Sequence, residues 1–222
     1  MNINLVAAGQ ASLWESDPVA GLLIVASVLL WIICLPRLMT LSHYLFGGLV
    51  QWKITARLAR SVSLSRDRNY LCLASILPTC LVSARYGIYH IAPMNGQPVW
   101  IVVLMTAGAL LAYLLMRLFL VKTFLPKNMA DAWKISRTNL PNGVIIIAIV
   151  TSATAILMHL CKAPDELAKN VILYESALIF LVILYRNYEI LSWKGQRFKA
   201  FLYLCGLELI PALALIISAI LF

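Results

Sequence analysis

The chain has 222 residues, 62% of them hydrophobic and 12% charged, with a mean hydropathy of +0.89. A water-soluble domain of that composition would lack the polar surface it needs, so the bilayer is the expected solvent, and the nucleic-acid reading that a net charge of +9 would otherwise invite falls away. Five cysteines (Cys34, Cys72, Cys80, Cys161 and Cys205) form no CxxC pair, which argues against a disulfide framework or a zinc site, and four of the five fall in or beside apolar runs, where a thiol acts as a small hydrophobe.

Residues 1–18 hold no lysine or arginine and lack the basic start of a cleavable secretory signal, so they are expected to stay on the mature protein, outside. Val19 to Leu35, VAGLLIVASVLLWIICL, is the first expected span, closed by Pro36 and Arg37. From Leu38 to Arg68 the chain turns basic and amphipathic, and the pattern predicts a helix lying along the cytoplasmic interface. Lys53, Arg57 and Arg60 follow spacings of four and three, so they share a face directed at anionic lipid headgroups or an acidic partner, or simply solvated with no specific ligand. Asn69 to Ile91 is the second span, bent at Pro78. Within it Ser75, Thr79, Ser83 and Gly87 recur every four residues as a stripe for close helix packing.

An uncharged turn, APMNGQP, makes an external hairpin into the third span, Val99 to Val121. Gly108 and Ala112 form a second packing face there, and Arg117 with Lys122 marks its inner end. Lys122 to Asn142 reads as a cytoplasmic connection carrying a short interfacial helix around Met129 to Thr138, ended by Pro141 and Gly143. Gly143 to Leu160 is the fourth span, in which Thr151, Ser152 and Thr154 can each bond back to their own helix. After an outer loop, Asn170 to Tyr185 is the fifth span. Arg186 to Lys199 is a third basic connection, and Ala200 to Phe222 is the sixth span.

The expected fold is therefore all-α: a single integral membrane domain of six spans with both termini outside and amphipathic segments on the cytoplasmic side. The inner segments so defined hold 15 of the 18 lysines and arginines, a strong positive-inside bias.

Three ionisable residues fall inside the expected spans: Arg85, Glu175 and Glu208. Arg85 and Glu175 both sit in outer halves, where an ion pair would lower the cost of holding each in lipid. Glu208 has no partner at its depth that the sequence identifies. Protonation or hydrogen bonds from hydroxyls on neighbouring spans would accommodate it. Pro211, three residues on, removes a backbone donor and bends the last helix, so two locally unfavourable residues share one turn. His90 and His159 fall at outer helix ends near Cys161, but no ligand spacing joins them, and no metal or other cofactor is expected. There is no GxxxxGK[ST], HExxH, GxSxG or Rossmann glycine pattern.

Leu202 to Pro211, LYLCGLELIP, with Glu208 followed three residues later by Pro211, resembles the closing helix of an uncharacterised family of small multi-span inner-membrane proteins from Bacteroidota. The resemblance implies location and architecture and carries no activity. The first functional expectation is a non-catalytic subunit or stabilising factor of an inner-membrane envelope assembly, in protein translocation, insertion or maturation, with other inner-membrane proteins as partners. A small proton-coupled transporter or ion channel using Glu208 is the second. A lipid-modifying enzyme, built from His90, His159, Glu175 and Arg85, is the third.

Overall fold

Asp17 opens the first helix, α1 (Pro18–Val50), its carboxylate accepting the Val19 N–H at 2.9 Å while Pro18 takes a first-turn position that needs no donor. The molecule is a computed structural model, described for residues 14, 17–89, 97–124, 133, 135–192 and 197–214. Among the described residues every regular element is helical. Helix α1 runs through Pro36, which corrects the expectation that the proline closes the first span. The reason is packing: Ala20, Ser27, Cys34, Leu41 and Gly48 are buried at intervals of seven, one seam on both sides of the proline, while Pro36 itself faces outward. At about 1.5 Å per residue, α1 extends roughly 50 Å, well beyond a hydrocarbon core of about 30 Å.

The expected interfacial helix over 38–68 resolves into three pieces. Its first third is the end of α1, its middle is the short amphipathic α2 (Trp52–Arg60), and its last residues are the first turns of α3 (Val62–Arg85). Gln51, with extended φ and ψ, makes the corner. Helix α2 folds back onto the end of α1 through Gly47 and Gly48: a Cβ at those positions would lie 2.8 Å from Ile54 Cδ1 and 2.9 Å from Thr55 Oγ1. Thr55, Ala56 and Leu58 are buried by this contact, and Lys53 and Arg57 face outward.

Helix α3 ends at Arg85 in a left-handed cap. Gly87 has φ 58°, the Ile88 N–H donates to the Ser83 carbonyl, and the Gly87 N–H donates to that of Ala84. Gly87 thus stops the helix and does not extend the packing stripe of Ser75, Thr79 and Ser83. Helices α4 (Val99–Phe124), α5 (Asn139–Leu160) and α6 (Asp165–Ser192) follow, then α7 (Arg197–Leu204) and a π-helical turn (Cys205–Leu209) that returns to helix through residue 214. Pro141 and Gly143 start α5; they do not break the chain before it. The proline sits in the first turn, where it displaces no helical bond, and Gly143 lets Ile183 of α6 press against the backbone. Arg186 to Ser192 belongs to α6 and not to a loop.

Helix α3 packs against α1, α4 and α5; α5 packs against α6, and α6 against α7. The π turn reaches back to α4, which closes the circuit. Buried apolar residues form three clusters: Cys34, Leu41, Leu45, Leu58, Leu71, Ile145, Ile146, Ile179 and Ile183; Ala20, Cys80, Leu81, Ala84, Val99, Val102 and Val103; and a smaller one of Trp133, Leu191 and Ala200 beside the closing turn. Pro18–Val50, Val99–Thr123, Asn139–Leu160 and Asp165–Ser192 are each long and apolar enough to cross a membrane. Many large apolar side chains on them, Leu22, Ile33, Leu104, Leu157 and Leu178 among them, face outward, as lipid-facing helices require.

Candidate functional site

The last described helix changes pitch at Cys205, and the Ile210 N–H donates to the Cys205 carbonyl, five residues back. Pro211 has no N–H to continue the α-helical ladder, and a π turn just before it absorbs the mismatch. The wider turn directs Glu208 into the bundle, where its carboxylate meets Arg117 of α4. Arg117 Nε donates to Glu208 Oε2 at 2.9 Å, and its Nη2 donates to Oε1, a bidentate pairing of planar groups. The two side chains are only 4% and 3% exposed. Trp133 adds its ring 5.5 Å from the Arg117 guanidinium carbon, on the side where Leu120, Val121, Tyr188 and Tyr203 pack around the third cluster.

Glu208 therefore has a partner, and it is not a hydroxyl: Arg117, which the positive-inside pattern assigns to the inner headgroup region, is withdrawn into the bundle. The sequence signal lay in its position, inside the apolar run of α4 and five residues short of Lys122. Arg85 and Glu175 are not brought together. Arg85 Nη2 lies 3.9 Å from Asp165 Oδ1 at the start of α6, while Glu175 accepts hydrogen bonds from Thr154 Oγ1 at 3.0 and 2.8 Å. Thr154 thus bonds across to α6, not to its own helix, whereas Thr151 does donate to its own helix at Ile147.

Ser75 is fully buried and its hydroxyl donates to the Leu71 carbonyl; Thr79 donates to that of Ser75. Ser83 is half-buried next to the end of α3. Gly108 and Ala112 lie on an outward face of α4, and nothing among the described residues comes within 4 Å of a Cβ built at Gly108. Lys53 and Arg57 share the exposed face of α2; the Arg60 side chain, His90 and residues 215–222 of the sixth expected span lie outside the described residues. His159 and Cys161 are exposed at the end of α5. Among the described residues no three His, Cys, Asp or Glu side chains gather as a metal site would need.

A second polar layer, absent from the sequence reading, joins α1, α5 and α6. Asn139 Nδ2 donates to Asn187 Oδ1 at 2.8 Å, and Arg186 Nε donates to the Leu49 carbonyl at 2.6 Å, capping the end of α1. A cavity of about 10 Å³, room for one water molecule, lies between Gly48, Asn139, Asn142 and Arg186. Single asparagines in apolar helices carry no periodic signal, so only the fold reveals their convergence.

An all-helical chain with four helices fit to cross a bilayer and a charged pair sealed between two helices is consistent with a membrane protein. No protein-family model, no curated protein and no solved structure matches the chain.

Proposed function

We propose that this protein is a non-catalytic subunit or stabilising factor of a bacterial inner-membrane assembly, of the kind that moves, inserts or matures envelope proteins. The same proposal places it in the Bacteroidota family that its closing helix resembles. The observation that carries the reading is the sealed Arg117–Glu208 pair. A carboxylate that carries protons or ions must exchange with water, whereas Glu208 has both oxygens on one guanidinium and is almost fully covered. Its role is to fasten the terminal helix to α4. The uncovered small-residue face at Gly108 and Ala112 supports a partner helix, since such faces allow backbones to approach.

The test is to tag the chromosomal copy, extract the membranes in mild detergent and identify what co-purifies stoichiometrically. A defined envelope complex, lost on Gly108→Val while the protein stays inserted, is the expected result. Recovery of the protein alone would overturn the subunit reading.

The π turn favours a second reading, because π-helical turns recur at functional sites and can rearrange. In it, opening of the Arg117–Glu208 pair exposes Glu208 to a proton-coupled or ion pathway. It predicts a pH-dependent flux in liposomes that Glu208→Gln abolishes; absence of flux for protons and a panel of ions excludes it.

A further inference from the structure

We infer that the groove at the start of α3 is a binding site for one anionic phospholipid, whose phosphodiester is held by Arg66, Ser65 and Asn69. The groove has a volume of about 620 Å³ and is formed by α3 with Ala59 and Ser61 before it. Its lining on α3 follows one helical stripe, Val62, Ser65, Arg66, Asn69, Tyr70 and Leu73.

Hydrogen-bond direction sets the polarity of this stripe. Arg68 is buried, and its Nη2 donates to both Ser65 Oγ and Asn69 Oδ1 at 3.0 Å. With those acceptors occupied, the Ser65 O–H and the Asn69 amide N–H groups remain to donate into the groove. Ser61 Oγ likewise accepts the Leu64 N–H, so its hydroxyl proton is also available. Arg66 is exposed and has no hydrogen-bond or ion-pair partner among the described residues. Arg68 adds a second positive charge directly behind the wall, and one of its nitrogens, Nη1, is buried without a partner among the described residues. The nearest carboxylate in sequence, Asp67, turns to Arg37, 4.0 Å away, and does not neutralise the groove. A concave surface offering several donors and two guanidinium charges, with no free carboxylate, is complementary to a phosphate.

The rest of the lining identifies the source of that phosphate. Val62 is 86% exposed, Leu73 68% and Tyr70 50%, far more apolar surface than a soluble anion could use. Leu73 lies two turns from Arg66 toward the apolar part of α3, where an acyl chain would run, and Tyr70 has the amphipathic character of an interfacial anchor. This site is separate from the Lys53 and Arg57 face of α2, and it stands whichever role Glu208 has.

Native mass spectrometry of the full chain, equilibrated in detergent with equal amounts of phosphatidylglycerol and phosphatidylcholine, counts the lipids retained. Wild type should retain one phosphatidylglycerol in about fivefold excess over phosphatidylcholine, the preference that one well-placed arginine gives near a membrane surface. Arg66→Ala and Asn69→Asp, which leave the partners of Arg68 in place, should each bring the ratio close to one, and Arg66→Ala should do so without changing thermal unfolding. Lys53→Ala with Arg57→Ala should leave it unchanged. Unaltered retention in Arg66→Ala and Asn69→Asp, or no preference in wild type, would overturn the assignment. Displacement of the lipid by millimolar inorganic phosphate would also overturn it, giving the groove to a soluble anion.

Discussion

At the scale of single residues, the cost of burial governs what each charge can do. Taking a carboxylate and a guanidinium out of water costs several kcal/mol per ion, offset here by bidentate geometry and by the Trp133 ring. Removing one partner strands the other. Glu208→Leu should therefore destabilise the protein by about 3–5 kcal/mol. Glu208→Gln should cost clearly less, because its amide oxygen still accepts from Arg117; thermal unfolding in detergent ranks the two. Equal losses would mean that the lost charge, and not the hydrogen bonding that glutamine keeps, sets the cost at this position. Gly87 makes a separate prediction. Its φ of 58° is strained for any residue with a Cβ, so Gly87→Ala should cost about 1–2 kcal/mol, read the same way.

At the scale of elements, close approach decides which small residues matter. Gly143 lies against Ile183 of α6, and Gly143→Val should overpack that contact at a cost of about 1–3 kcal/mol. Gly108→Val in the isolated protein should stay within about 0.5 kcal/mol, since nothing described covers it. Equal effects in the two variants would contradict the packing arrangement. Apolar runs made α4 and α5 legible from sequence to within a few residues of their ends, whereas α6 (Asp165–Ser192) runs well past the expected Asn170 to Tyr185 at both ends. Helix α1 was not legible, because Pro36 is a local stop signal while the seam of Ala20, Ser27, Cys34, Leu41 and Gly48 that overrides it is a tertiary one. Pro141 and Gly143 misled for a related reason: the same two residues mark a loop or a first turn with a close contact, and only the position of Ile183 separates the cases. Glu208 and Pro211 stood out as unusual residues within an apolar run. Arg117 did not, because its partner lies 91 residues away and a nearby lysine made an interfacial reading sufficient.

At the scale of the molecule, the arrangement is a circuit of helices in which the π turn of the last described helix reaches back to α4. The expected topology places Lys53 inside and the α5–α6 turn outside. Cys161, exposed in that turn, is a native reporter: a membrane-impermeant maleimide should label it in intact cells stripped of their outer membrane. Lys53→Cys, in a Cys161→Ser background, should react only after permeabilisation. The reverse pattern would invert the orientation. A chain closed by an internal ion pair can present its outer faces to lipid and to partners without exposing the charges that hold it, which links the clamp to the proposed role as a subunit.

The most direct test of that clamp is a double-mutant cycle on thermal unfolding in detergent, with Arg117→Met, Glu208→Leu and the two combined. Each single change strands a buried charge, whereas the double variant replaces the pair with apolar groups of similar size. The account predicts that the double variant is more stable than either single one, with a coupling energy of about 2 kcal/mol or more, within the range seen for contacting residues. Additive losses, with the double variant the least stable of the three, would contradict a direct Arg117–Glu208 pair and with it the closure of the bundle.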